Sequence, residues 1–564
     1  MKKLQILWLM LLGLTIGLSS CGDDDEVTVV EDPTITASAQ TTSINQVLTF
    51  PVNIQAPGGF ASATVSAANG AATISGLPSA GTTTSTAATV TYNAPANAVN
   101  DIVTVTVEDQ AGNSTVATVQ VTVSAKPIVD VFASAAGVGT TTWTADNIYV
   151  LRGFVFVNSG QTLTIQAGTV VKGQPGAGAG ASALVVARGG RLIAEGTSSN
   201  PIIFTNLADD VEDPADQSIS TRAAWGGLII LGNAFINHAN QVTNIEGIPA
   251  EEPRGLYGQL VATGGALNQN DAHDGGILRY VSLRHGATNI GAGNEINGLT
   301  MGGVGTGTIV EFVETFAFDD DGFEWFGGTV NSRYLASVYN QDDAFDWDFG
   351  WRGQNQFWLV YQEPGFANSD RGIEADGAHS GNLTASIFSQ PQIYNMTLIG
   401  QGSTGNSDNV IFFTEGSGTF IHNSIIGNFP FGIDATNAGT PAGQDRIADG
   451  ALLFKNNIFF NIGSGNTLAG VSTRATGSTN AALQTMLEDN DNEAVTTVPV
   501  QGIAANAFNP LPAAGTLAFT KTRSALPGAA VNGFTYSMAN YIGAFGDTNW
   551  LRGWTATDFY GLMP

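Results

Sequence analysis

The chain has 564 residues, with 20 Lys and Arg against 48 Asp and Glu, for a net charge of −28. That excess excludes nucleic acid and anionic lipid headgroups as partners, because their phosphates would be repelled. Charged residues are only 12% of the chain and glycine fills 70 positions, a composition poor in surface helices and rich in turns.

In chain order, Lys2 and Lys3 precede an uncharged apolar run over residues 4–18 that ends at Leu18, Ser19, Ser20 and Cys21. Basic residues, an apolar stretch and small residues in that order read as a secretory signal. The run is short for a membrane span and has no stop-transfer flank. Cys21 is the only cysteine, and its setting resembles the bacterial lipobox. The resemblance implies a signal peptide over residues 1–20, lipidation of Cys21, and a membrane reached through acyl chains. Residues 21–32 form an acidic tether containing Asp23, Asp24, Asp25 and Glu26. It resembles the export signal of Bacteroidetes surface lipoproteins, which implies an outer-membrane location facing the cell exterior.

Residues 33–125 are rich in Thr, Val and Ala, with period-two alternation over residues 88–92 and 101–107 and turn signals at Pro57-Gly58-Gly59 and Ala111-Gly112-Asn113. Short alternating strands between such turns predict a small antiparallel sandwich. Its closing run over residues 107–123 resembles the last hairpin of bacterial immunoglobulin-like domains, which implies a spacer.

Residues 129–564 change to short apolar runs separated by Gly, Asn and Asp, as at 162–168, 183–187, 201–205 and 228–232. An apolar residue after a small one recurs at Leu299, Phe323, Phe345 and Ile373, at spacings of 24, 22 and 28 residues. Periods of this length mean one coil per repeat. An all-β fold follows, a right-handed parallel β-helix behind an N-terminal sandwich, since inward side chains stack while each coil hydrogen-bonds to the next. A β-propeller would repeat at longer intervals. Residues 225–234, 294–304, 320–331 and 342–350, with Tyr541, Trp550 and Trp554 near the end, resemble a group of β-helix lipoproteins and secreted proteins common in Bacteroidetes. That resemblance implies the fold and leaves the activity open.

The repeat sets Glu324, Asp346, Glu374 and Asp434 at one coil position, with Thr300 and Ile411 completing the column, and Asp348 with Asp376 in a second column two residues on. Coils stack about 4.8 Å apart, so unopposed carboxylates there would repel and raise each other's pKa. Calcium would offset them, with Asp320, Asp321, Asp342 and Asp343 as further ligands. Turn chemistry would explain the same acids, with Arg333, Arg352 and Arg371 as ion-pair partners. Trp325 and Trp347 share strands with the acids, and alternation sends the tryptophan inward if the acid points out; Trp351 is the aromatic candidate for ligand contact beside Glu324, Asp346, Asp348, Glu374 and Asp376. If the site is catalytic, Asp342, Asp343, Asp346, Arg352 and Arg371 are the candidates, either as a hydrolytic carboxylate pair or as calcium carboxylates with a base, an arrangement resembling β-helix polysaccharide lyases. The expected function is a surface binding or scaffold module for glycans that assists nutrient uptake with an outer-membrane transporter. A calcium-dependent lyase or glycosidase and an adhesive or structural role are the alternatives.

Overall fold

The structure is a computed structural model that describes residues 30–564 except 262–266, 292–293, 367, 379–381, 383–385, 406–407 and 436–441. The expected signal peptide, Cys21 and most of the expected acidic tether lie outside the described residues. The chain divides into two compact units after Ala125. No helix among the described residues is long and apolar enough to cross a membrane.

The first unit is a β-sandwich of two four-stranded sheets. One holds Thr34–Thr36, Val47–Gln55, Ser85–Asn93 and Ala71–Ser75; the other holds Gln40–Ser43, Ser114–Ser124, Val99–Asp109 and Phe60–Ala67. All pairings are antiparallel except that of Gln40–Ser43 with Ser114–Ser124. Alternation puts Val103, Val105 and Val107 inside with Phe50, Val52, Val90 and Tyr92, as a pleated strand with one covered face requires. One polar anchor is buried with them. Asp101 accepts hydrogen bonds from the Tyr92 hydroxyl at 2.6 Å and from the backbone N–H groups of Asn69 and Gly70 at 3.0 and 2.8 Å. Burial alone would raise its carboxyl, but these bonds overcome burial and hold it at about 2.

The second unit is the parallel β-helix. Its coils build two parallel sheets, one of nine strands and one of eighteen that folds over two faces. Nine strands form one of them, in the order Phe154–Val157, Ala183–Val186, Leu228–Leu231, Leu299–Val304, Phe323–Gly328, Phe345–Asp348, Ile373–Asp376, Asn409–Thr414 and Phe431–Asp434. The other two faces meet at a corner that the long strands Gly276–Arg284, Ile309–Phe316, Asn331–Val338 and Gln354–Tyr361 turn without a break. The turning residues are Tyr280, Phe312, Tyr334 and Phe357, with φ of 50°, 55°, 56° and 61°; in later coils Asn395, Asn423 and Asn456 take the place at 57°, 54° and 58°. Asparagine tolerates this left-handed geometry, whereas a bulky aromatic is strained there. The aromatics gain from stacking, ring on ring, at 4.4, 4.2 and 4.9 Å along the corner.

The C-terminal segment covers this corner from outside, running back towards the earlier coils. Asn423 exchanges hydrogen bonds with Ser524, Asn395 donates to the Tyr541 carbonyl, and Trp550 and Trp554 pack edge-on against the aromatic ladder. Glu314 fixes the end of the segment by accepting from the backbone of Ala556 and Thr557. The interior is a continuous apolar column in which Trp325 stacks on Trp351 at 4.4 Å and on Trp358 at 5.2 Å.

Candidate ligand-binding face of the nine-stranded sheet

Over the first coils the outer face of this sheet is apolar. Val185, Ile229 and Leu231 are covered there by Ile236, Ile245, Ile248 and Tyr257. From Phe323–Gly328 onward the outer face turns acidic. Glu324 pairs in register with Asp346, and Asp346 with Glu374. Thr300 precedes Glu324 in the column. Phe412 follows Glu374 and precedes Asp434, so Ile411 is corrected out of the column: it pairs with Ile373 and Ile433 inside.

Each acid's strand neighbour points the other way. Trp325 and Trp347 are fully buried in the core, because successive strand side chains alternate between faces. Trp351 is corrected as a ligand contact. It is 0% exposed and its indole N–H donates to the Val330 carbonyl at 3.2 Å, so it stacks on tryptophans and presents no face to a ligand.

The turns ahead of the strands carry a second ladder. Asp321 N–H donates to Asn297 Oδ1 at 3.2 Å, Asp343 N–H to Asp321 Oδ1 at 2.9 Å, and Arg371 N–H to Asp343 Oδ1 at 2.8 Å. Asp321 and Asp343 therefore do turn chemistry with one carboxylate oxygen each. The Arg371 guanidinium reaches Glu374 at 2.8 Å, Asp370 at 3.2 Å, Asp343 at 3.3 Å and Asp408 at 3.6 Å. Arg352 is corrected: it lies 3.6 Å from Asp271 and over the Phe235 ring. Arg333 is corrected as well, binding Glu311 and the C-terminal residues Thr535 and Ser537. Of the three expected counter-charges only Arg371 serves the face.

Four groups of carboxylates have one oxygen from each member within 4.8 Å of the others: Asp320, Asp321 and Asp342; Asp321, Glu324 and Asp346; Asp342, Asp343 and Asp370; and Asp348, Asp376 and Glu415. The expected quartet of Asp320, Asp321, Asp342 and Asp343 is thus divided between two groups, and Arg371 already answers Asp343. Burial, followed by repulsion among neighbouring carboxylates, pushes Asp320 up to about 8, Asp342 to about 6 and Asp376 to about 9. Burial likewise pushes Asp348 up to about 7, against a hydrogen bond from the Phe349 N–H. The same two causes, burial first, hold Asp321, Glu324 and Asp346 well above the carboxylate range. Asp346, Asp348, Glu374 and Asp376 are half-buried, so the face opens to solvent along these residues.

Glu246, Glu415 and Asp370 belong to this electrostatic cluster and carry no repeat signal in the sequence. Glu246 raises Glu324 and Asp320 from a segment almost eighty residues upstream. It also lines a depression of about 360 Å³ with Tyr257, Phe326, Phe349 and His238; Phe326 is the register partner of Asp348. Larger depressions of about 460 and 440 Å³ lie along the C-terminal segment, and no carboxylate lines them. The histidines form no ligand cluster among the described residues: His273, His285 and His422 are buried, which pushes each down to about 4, and His379 lies outside the described residues.

No curated protein matches the sequence. Among solved structures, the chain is similar to the Yersinia enterocolitica Family 28 exopolygalacturonase at 10% identity, over 77% of this chain and 95% of that one, with a TM-score of 0.17. An overlap that low carries no argument. Residues 135–504, more than half of the chain, match the family model described as the pectate-lyase like beta helix domain, and the chain belongs to that family.

Proposed function

We propose that the acidic outer face of the nine-stranded sheet binds a glycan, on a chain held at the outer membrane by an acyl group on Cys21. The supporting observation is the gathering of half-buried acids, Asp346, Asp348, Glu374 and Asp376, on adjacent coils beside one guanidinium, Arg371. Carboxylates in that setting accept hydrogen bonds from sugar hydroxyls, and Arg371 is braced by four acids in a fixed orientation. Membership of a pectate-lyase like family agrees with a glycan-related role. Among the described residues no tryptophan of this region is exposed, which removes ring stacking on indole as the mode of binding and leaves polar recognition, with Phe326 and Phe349 as an apolar floor in the depression that Glu246 lines. Export and lipidation explain why such a face would meet extracellular polysaccharide, and a transporter in the same membrane is the fitting partner for uptake.

The test is retention on immobilised neutral and acidic polysaccharides, for the protein and for Asp376→Asn and Arg371→Gln. Retention that falls at least tenfold in both variants supports the face as the site. Retention unchanged in both would refute it, and release of shortened oligosaccharides would convert the binding reading into a hydrolytic or lyase one.

A further inference from the structure

We infer that Asp321, Glu324, Asp346 and Thr300 form a structural site for one calcium-sized divalent cation that ties three successive coils together. Acidic clusters are common without an ion, and the four groups described above are not equivalent. This one carries an independent mark. Thr300 is 1% exposed and its hydroxyl has no hydrogen-bond partner. It stands in register one coil before Glu324, and its strand neighbours Leu299 and Met301 are in the core, so the hydroxyl is on the acids' side of the sheet. A buried hydroxyl without a partner is costly and points to a ligand.

The carboxylates agree with it. Asp346 Oδ1 is buried and also without a partner. Asp321 uses Oδ1 for the Asp343 N–H, and Glu324 uses Oε2 for the Asn297 side-chain amide, so each keeps its second oxygen. Oxygens of all three acids lie within 4.8 Å of one another, which is twice a typical calcium–oxygen distance of about 2.4 Å. All four residues are hard oxygen donors, the set that calcium takes in flexible geometry. The Asp348, Asp376 and Glu415 group shares the mark of a buried partnerless oxygen, Asp376 Oδ1, but all three of its residues are half-buried and none is enclosed as Thr300 is; the Asp342, Asp343 and Asp370 group already has Arg371.

Thr300, Glu324 and Asp346 sit on three consecutive strands of the sheet. An ion there would cross-link the coils at the point where like charges would otherwise push them apart. Of the acids proposed above for glycan binding only Asp346 belongs to this site; Asp348, Glu374 and Asp376 remain for the glycan.

The test uses terbium as a calcium probe on the purified chain, exciting tryptophan, because Trp325 and Trp347 are the strand neighbours of Glu324 and Asp346. The expected result is a saturable sensitised emission displaced by calcium, weakened at least tenfold in Glu324→Gln and in Asp346→Asn, and retained in Asp348→Asn. Thermal melting in chelator checks folding, since a variant that melts no lower than the wild type has lost the ion and not the fold. No saturable emission from the folded wild type, emission unchanged in Glu324→Gln and Asp346→Asn, or emission lost only in Asp348→Asn would each overturn the assignment.

Discussion

The corner of the β-helix and the acidic sheet face are built by one device, a residue repeated in register on successive coils, with opposite consequences. At the corner, Tyr280, Phe312, Tyr334 and Phe357 stack at 4.2 to 4.9 Å. Their contact offsets the strain of a left-handed backbone, and the C-terminal segment seals the column. On the sheet face, Glu324, Asp346 and Glu374 repeat as faithfully, yet each added copy repels the last. A solenoid thus amplifies whatever occupies a position. Aromatic ladders stabilise the stack, whereas an acidic ladder costs stability unless something else neutralises it.

The comparison is broken most severely from inside. Trp325→Ala removes the ring stacked on Trp351 and Trp358 and is expected to lower stability by about 3–5 kcal/mol. Denaturant unfolding measures it, and a loss below about 1 kcal/mol would mean that the indole is not core. Next is the corner, where Phe312→Ala is expected to cost about 1–3 kcal/mol in the same assay. Phe312→Gly should cost about 1 kcal/mol less than Phe312→Ala, because only glycine relieves the φ of 55°; the reverse order would show that strain at the corner is negligible. The acidic ladder should respond with the opposite sign. In chelator, Asp346→Asn is expected to raise the melting temperature, by an amount equivalent to about 1 kcal/mol, since burial and the neighbouring Glu374 oppose the ionised carboxyl that the amide replaces. A lower melting temperature would show that repulsion does not govern this face.

The smallest effect belongs to the first unit, where the buried Asp101 carboxylate is held by hydrogen bonds. Tyr92→Phe removes one hydrogen bond to Asp101 and should cost about 1 kcal/mol. Asp101 is held at about 2 in the folded unit, below the usual carboxylate value near 4. It therefore stabilises the sandwich at neutral pH, and that contribution is lost as pH falls from about 4 through about 2. Acid unfolding followed by circular dichroism on the wild type and on Asp101→Asn tests this, and identical acid profiles would contradict it.

The coil period was legible because Leu299, Phe323, Phe345 and Ile373 recur at nearly constant spacing and pair in register. The inward course of Trp325 and Trp347 followed from alternation alone. Legibility failed where a coil slipped by one residue. Taking Ile411 for the column hid Phe412, and with it the fact that Thr414 pairs with Asp376, which brings Glu415 beside the second column. A slip of one exchanges the two faces of a strand, so small errors of register become large errors of site. Trp351 and Arg352 failed for a related reason: they follow the strand, where the period of two no longer applies, and only the turn geometry sent one into the core and the other to Asp271.

By itself the sequence determined the all-β class, the coil repeat and the rows of acids, since local alternation and turn residues encode which side chains share a face. Only the tertiary structure decided which acids meet, that Arg371 answers them where Arg333 and Arg352 do not, that Glu246 arrives from a distant segment, and that the C-terminal residues return to cover the aromatic corner. Those contacts join residues tens to hundreds of positions apart, and they depend on the number of residues in each intervening turn, which the repeat pattern leaves free.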